Sequence, residues 1–89
     1  MRAIISVTGR DSVGIIASVS SVCAEHGVNI TDITQSVLKE YFTMIMMVEI
    51  DGLTLPFAEF VDVLTRLGRE RGLDIHTMHE DIFNSMHRI

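Results

Sequence analysis

The chain is 89 residues long, 47% hydrophobic, and carries seven Lys and Arg against twelve Asp and Glu, for a net charge of -5. That length makes one domain with a thin core, able to bury only about 60–65% of its unfolded surface, so association would help it. The acidic balance opposes nucleic acid, whose phosphates are bound by Lys and Arg. No apolar run approaches the roughly 18 residues of a membrane span, and Met1 to Ser6 lacks a signal peptide's apolar core. One cysteine, Cys23, leaves no internal disulfide and predicts a reducing, cytoplasmic setting.

Ala3 to Val7 reads as a first strand. Gly9-Arg10-Asp11-Ser12-Val13-Gly14-Ile15 then joins it to a helical stripe of Val13, Ile16, Ala17, Ser20, Cys23 and Ala24. Asp11 or Ser12 can cap that helix, and Gly27 ends it. A glycine-rich turn opening a helix gathers unpaired backbone N–H groups, which suits a small polar ligand; turn chemistry that only joins two elements is the alternative. Asp11 can accept a ligand ammonium or serve as the cap.

Asn29 to Val37 forms the second strand. Lys39-Glu40 makes a hairpin turn into a third, Tyr41 to Ile50, which ends at Asp51-Gly52. Pro56 suits the first turn of a second helix, whose stripe is Phe57, Phe60, Val61, Leu64, Leu67 and Gly68. Gly72 closes it. Arg66, Arg69 and Arg71 around Glu70 read as its solvated face and end. Leu73 to His79 alternates as a last strand.

The order β-α-β-β-α-β predicts an α+β, ferredoxin-like sandwich over residues 1–89, with a four-stranded antiparallel sheet and two helices on one face. The first and third strands are central and the other sheet face is bare. On the third strand Phe42, Met44, Met46, Val48 and Ile50 form one apolar set, but Ile45 and Met47 interrupt the other. Such residues predict self-association through Ile45 and Met47, or cover by the tail. In that tail Ile82, Phe83, Met86 and Ile89 stand at helical spacing, a segment too short to be stable without docking. Phe83 and Met86 therefore join Ile45 and Met47 as candidate interface residues.

Four histidines and one cysteine lack zinc spacing: His76 and His79 point to opposite faces of a strand, His26 suits a helix C-terminus, and His87 lies in the tail. No metal or other cofactor is implied. Cys23 sits on an apolar stripe with no cation beside it in sequence, as a buried structural thiol does. Asn29 enters a strand far from the Gly9 loop of the same subunit, so any part it takes in a site would be shared with a partner.

Ile4-Ile5-Ser6-Val7-Thr8-Gly9-Arg10-Asp11-Ser12-Val13-Gly14-Ile15-Ile16, Val22, Gly27-Val28-Asn29-Ile30, Asp32-Ile33 and the closing His79-Glu80-Asp81-Ile82-Phe83 with Met86-His87-Arg88-Ile89 resemble an ACT domain. More narrowly they resemble the short stand-alone ACT proteins of bacteria and archaea. The resemblance implies a non-catalytic regulatory module that pairs as a homodimer and senses an amino acid or similar zwitterion. Gly9, Asp11, Gly14 and Ile15 would form the ligand loop, and Asn29 and Ile30 would meet them across the dimer. Many ACT domains serve only to assemble, so a structural or partner-binding module, with a protein partner still to be identified, is the main alternative. An RNA-recognition domain would need exposed stacking aromatics, a metallochaperone paired thiols after the first strand, and an acylphosphatase-like enzyme an anion cradle for which Arg10 beside Asp11 is poorly suited.

Overall fold

The computed structural model describes residues 1–10 and 14–86. Its elements are β1 (Arg2–Arg10), α1 (Ile15–Glu25), β2 (Asn29–Leu38), β3 (Tyr41–Glu49), α2 (Phe57–Arg71), β4 (Leu73–His79) and α3 (Glu80–Met86). The sheet order is β2-β3-β1-β4, with every neighbouring pair antiparallel. This is the predicted ferredoxin-like sandwich, central strands included.

Alternation builds the core. Ala3, Ile5 and Val7 of β1 and Phe42, Met44, Met46 and Val48 of β3 point to one side, where Ile15, Val19 and Cys23 of α1 and Phe60 and Leu64 of α2 close over them. Burying each such large side chain contributes about 1.5–3 kcal/mol, which makes this layer the main source of stability. Gly68 lets α2 settle onto β4: a Cβ there would lie 2.7 Å from the Leu73 carbonyl oxygen.

Helix ends follow local chemistry. At the end of α1, Gly27 takes φ 74°, its N–H bonding the Ala24 carbonyl at 3.3 Å while the Val28 N–H reaches Cys23 at 2.8 Å. This paired return satisfies carbonyls that the helix leaves open. Pro56 stands just before α2, and its carbonyl accepts the N–H groups of Glu59 and Phe60 at 3.0 and 3.1 Å. The expected place inside the first turn was one position too late.

Three boundaries differ by more than one residue from those read in sequence. β1 runs on through Gly9 and Arg10, because Phe42 and Tyr41 of the long neighbouring strand pair with them. α1 begins at Ile15 rather than Val13, with Gly14 at the cap position in a left-handed conformation, φ 86°. Asp11 and Ser12, the expected caps, lie outside the described residues. The tail helix is Glu80–Met86, and the expected contribution of Ile89 also lies outside them.

The sheet's second face is less bare than alternation alone implied. Ile45 is exposed and Met47 half-buried there, yet Ile4, between Met47 and Met78 in register, is only 2% exposed. It is closed off on the side away from α1 and α2, where α3 packs against β1 and β4. Hydroxyl residues Ser6, Thr8 and Thr43 hold the positions beyond it.

Candidate functional site

The clearest concavity near the predicted loop opens where α1 begins. Gly14, Ile15, Ile16 and Ala17 form one wall, and Gln35, Val37 and Phe42 the other, around a groove of about 420 Å³. It exists because β2 runs past the helix layer: nine of its ten residues are exposed, with Ile33 41% and Val37 56% exposed on the helix side. A ten-residue edge strand with apolar flanks and free backbone groups is a surface that proteins otherwise blunt or cover.

Among the predicted site residues, the structure brings Gly14 and Ile15 together in this groove. Ile15 is mostly committed to the core, at 3% exposure. Gly9 lies within β1, opposite Phe42 and Leu73, and a Cβ there would sit 2.7 Å from the Leu73 side chain. Close packing thus explains this glycine, beside the loop rather than in it. Asp11 is outside the described residues.

Asn29 and Ile30 sit at the other end of the sheet, Asn29 opposite Glu49, while Gly9 is opposite Phe42. Seven strand positions separate the two ends, about 23 Å at the usual rise. Within one subunit the two halves of the expected site do not meet.

One neighbour of the groove escaped the sequence reading. Arg71, which in sequence reads as part of a solvated helix end, donates a hydrogen bond from Nη1 to Ser18 Oγ at the close of the first turn of α1. Its Nη2 lies 3.6 Å from where a Cβ on Gly14 would stand. No spacing rule finds such a contact, since the partners are 53 residues apart and meet only because α2 ends over the start of α1.

Of the four histidines, His87 lies outside the described residues, and the other three have ordinary partners. His79 stacks on Phe57 of α2 with ring centroids 4.2 Å apart, His26 meets Phe60 edge-on at 6.3 Å, and His76 lies 3.1 Å from Asp74 on the opposite sheet face. Among the described residues no group of three or more His, Cys, Asp or Glu is placed to hold a metal ion. Cys23 is fully buried, and burial pushes its thiol up to about 11, away from the thiolate that a nucleophile needs.

The family model described as ACT domain matches residues 2–78, which cover both faces of this groove. This chain belongs to the ACT domain family. ACT domains are regulatory, non-catalytic modules that sense small molecules within enzymes and regulators. A UPF0237 protein of Listeria innocua is 45% identical over 89 residues, with all of both chains covered. The structure of an ACT domain protein from Streptococcus pneumoniae superposes with a TM-score of 0.80 at 41% identity, covering 93% of each chain. A formyltetrahydrofolate deformylase from Pseudomonas syringae matches with a TM-score of 0.79 at 26% identity, covering 88% of this chain but 27% of that enzyme. The ACT domain here therefore resembles both a protein of its own size and one portion of a larger enzyme. Among the described residues, no helix is long and apolar enough to cross a membrane.

Proposed function

We propose that this ACT domain is a cytoplasmic sensor of a free amino acid or a similar small zwitterion, working as a homodimer. The observation that carries the reading is the groove itself, opening beside the N-terminus of α1 and the left-handed Gly14. Unpaired N–H groups at a helix start suit a carboxylate, and Asp11 supplies a charge for an ammonium. Arg71 adds a cation at the same end of the groove.

A partner is required to complete it. A second copy running antiparallel beside β2 reverses strand direction, so its Asn29 and Ile30 arrive near Val37 and the loop of the first subunit. Ile45 and Met47 face the other side of the sheet, so together with Phe83 and Met86 they belong to a separate contact between copies. On this reading the ligand pocket and the apolar patch belong to two different contacts, where the sequence alone suggests one dimer.

A thermal-shift screen over the free amino acids and purine metabolites tests the reading. Calorimetry on the hit follows, with Asp11→Asn expected to weaken binding by about 1–3 kcal/mol if the ammonium contact is charge-assisted. Equal affinities remove Asp11 from the site. One observation favours a second reading, an assembly module without a ligand: among the described residues, the seven that line the groove carry no charge. A dimer whose melting temperature no screened compound raises supports that reading instead.

A further inference from the structure

We propose that α3 is a detachable latch over the second sheet face, held by the ion pair between Arg2 and Glu80, and that it governs the apolar contact between copies. The proposal rests on the assembly reading above for its consequence, but the latch itself rests on geometry. Arg2 grips Glu80 with two nearly parallel bonds, Nε to Oε2 at 3.0 Å and Nη2 to Oε1 at 2.6 Å, while Nη1 reaches the Met47 sulfur at 3.4 Å. One guanidinium thus joins the first residue of α3 to the middle strands of the sheet.

The rest of the helix is only lightly buried. It has seven residues, too few to persist without docking, and none is fully buried. Phe83 is half-buried, whereas Ile82 and Met86 are 52% and 65% exposed. Under it lies Ile4, 2% exposed, with half-buried Met47 and Met78 on either side. An open cavity of about 480 Å³, lined by Met1, Arg2, His79, Glu80, Asp81 and Ile82, lies at the junction of β4 and α3 and gives the pair room to part. Both partners are part-exposed, Arg2 at 45% and Glu80 at 24%, so water and salt reach the fork and screen it. When the latch lifts, Ile4, Met47 and Met78 become continuous with Ile45, and the surface offered to a second copy grows.

The six methionines report this directly. Met44 and Met46 are fully buried in the core, Met47 and Met78 flank Ile4, and Met1 and Met86 are largely exposed. In brief hydrogen peroxide treatment each thioether takes one oxygen atom, giving sulfoxide and water, at a rate set by exposure. Peptide mass spectrometry of the full chain reads all six sites.

Glu80→Gln and Glu80→Arg should raise the oxidation rate of Met78 about threefold or more, with Met44 and Met46 unchanged. The reversed pair, Arg2→Glu with Glu80→Arg, should restore wild-type protection. Met78 is the cleaner reporter, because Arg2 touches the Met47 sulfur itself. An unchanged Met78 rate in both Glu80 variants overturns the latch, as does a matching rise at Met44 and Met46, which marks loosening of the whole domain. Sedimentation on the same proteins tests the consequence: Glu80→Arg should tighten self-association, and an opened latch with unchanged association overturns its control of assembly. Wild type and variants that stay monomeric while Met78 responds would retain the latch but defeat the homodimer reading.

Discussion

Gly27 and Gly52 meet backbone to backbone at the end of α1. A Cβ built on Gly27 would strike the Gly52 carbonyl oxygen, and one on Gly52 would lie 2.8 Å from the carbonyl oxygen of Gly27. Alongside, the Thr54 N–H bonds the His26 carbonyl at 3.0 Å, fixing the β3–α2 connection against the α1–β2 turn. These two links hold the helix layer in place at the end of the sheet remote from the groove.

Gly27→Ala must therefore pay twice, for a side chain at φ 74° and for the collision. We expect a loss of about 3 kcal/mol or more, and a smaller one for Gly52→Ala, whose backbone needs no left-handed angle. Urea unfolding of both variants checks the order. Equal or negligible losses would show that the two turns can separate without harm.

The contrast between Gly27 and Gly9 shows what was legible in the sequence. A glycine just past a helical stripe announces its own backbone role, and Gly27 and Gly72 both close helices as read. The stripes of α1 and α2, the alternation of β3 and the hairpin were visible for the same reason: they are periodic and local. Gly9 was ambiguous, since its reason is a packing contact with Leu73, distant in sequence and brought close by β1–β4 pairing. Arg71 was missed on similar grounds. The groove itself depends on how far β2 overhangs α1, which no residue pattern encodes.

Cys23 should behave as a core residue with a pH signature. Its thiol is raised by burial from an ordinary value of 9.0 to about 11. Below 9 both folded and unfolded thiols are protonated and nothing changes. Between about 9 and 11 the unfolded chain loses its proton while the folded one keeps it, so stability falls as pH rises through that window. Cys23→Ala should remove this part of the alkaline slope, as urea midpoints across the range will show. In the native protein a thiol reagent should label Cys23 only as fast as the chain opens.

Lys39 carries a strained angle in the hairpin between β2 and β3. Its φ is 56°, the only positive value at a non-glycine position among the described residues. Leu38 and Tyr41 pair across the two-residue loop, a geometry that favours Asn or Gly. Lys39→Gly or Lys39→Asn should therefore stabilise the domain by about 0.5–1 kcal/mol. A thermal midpoint that does not rise in either variant would show that the lysine side chain makes compensating contacts.

Gly14 separates a backbone role from a binding role. At φ 86° it stands in the left-handed region, yet among the described residues an added Cβ would meet only Arg71 Nη2, at an ordinary 3.6 Å. Space is available, so the cost of a side chain is conformational. Gly14→Ala should lose about 1–2 kcal/mol, and Gly14→Asn less, because asparagine tolerates this conformation better. The asparagine side chain nonetheless projects where the groove opens and where Arg71 lies. If the groove is the sensing site, Gly14→Asn should keep most of the stability while losing the melting-temperature rise that a screened amino acid gives wild type. Retention of the full shift in that variant would move the ligand away from Gly14, and parallel loss of stability and binding would reduce the glycine to its turn.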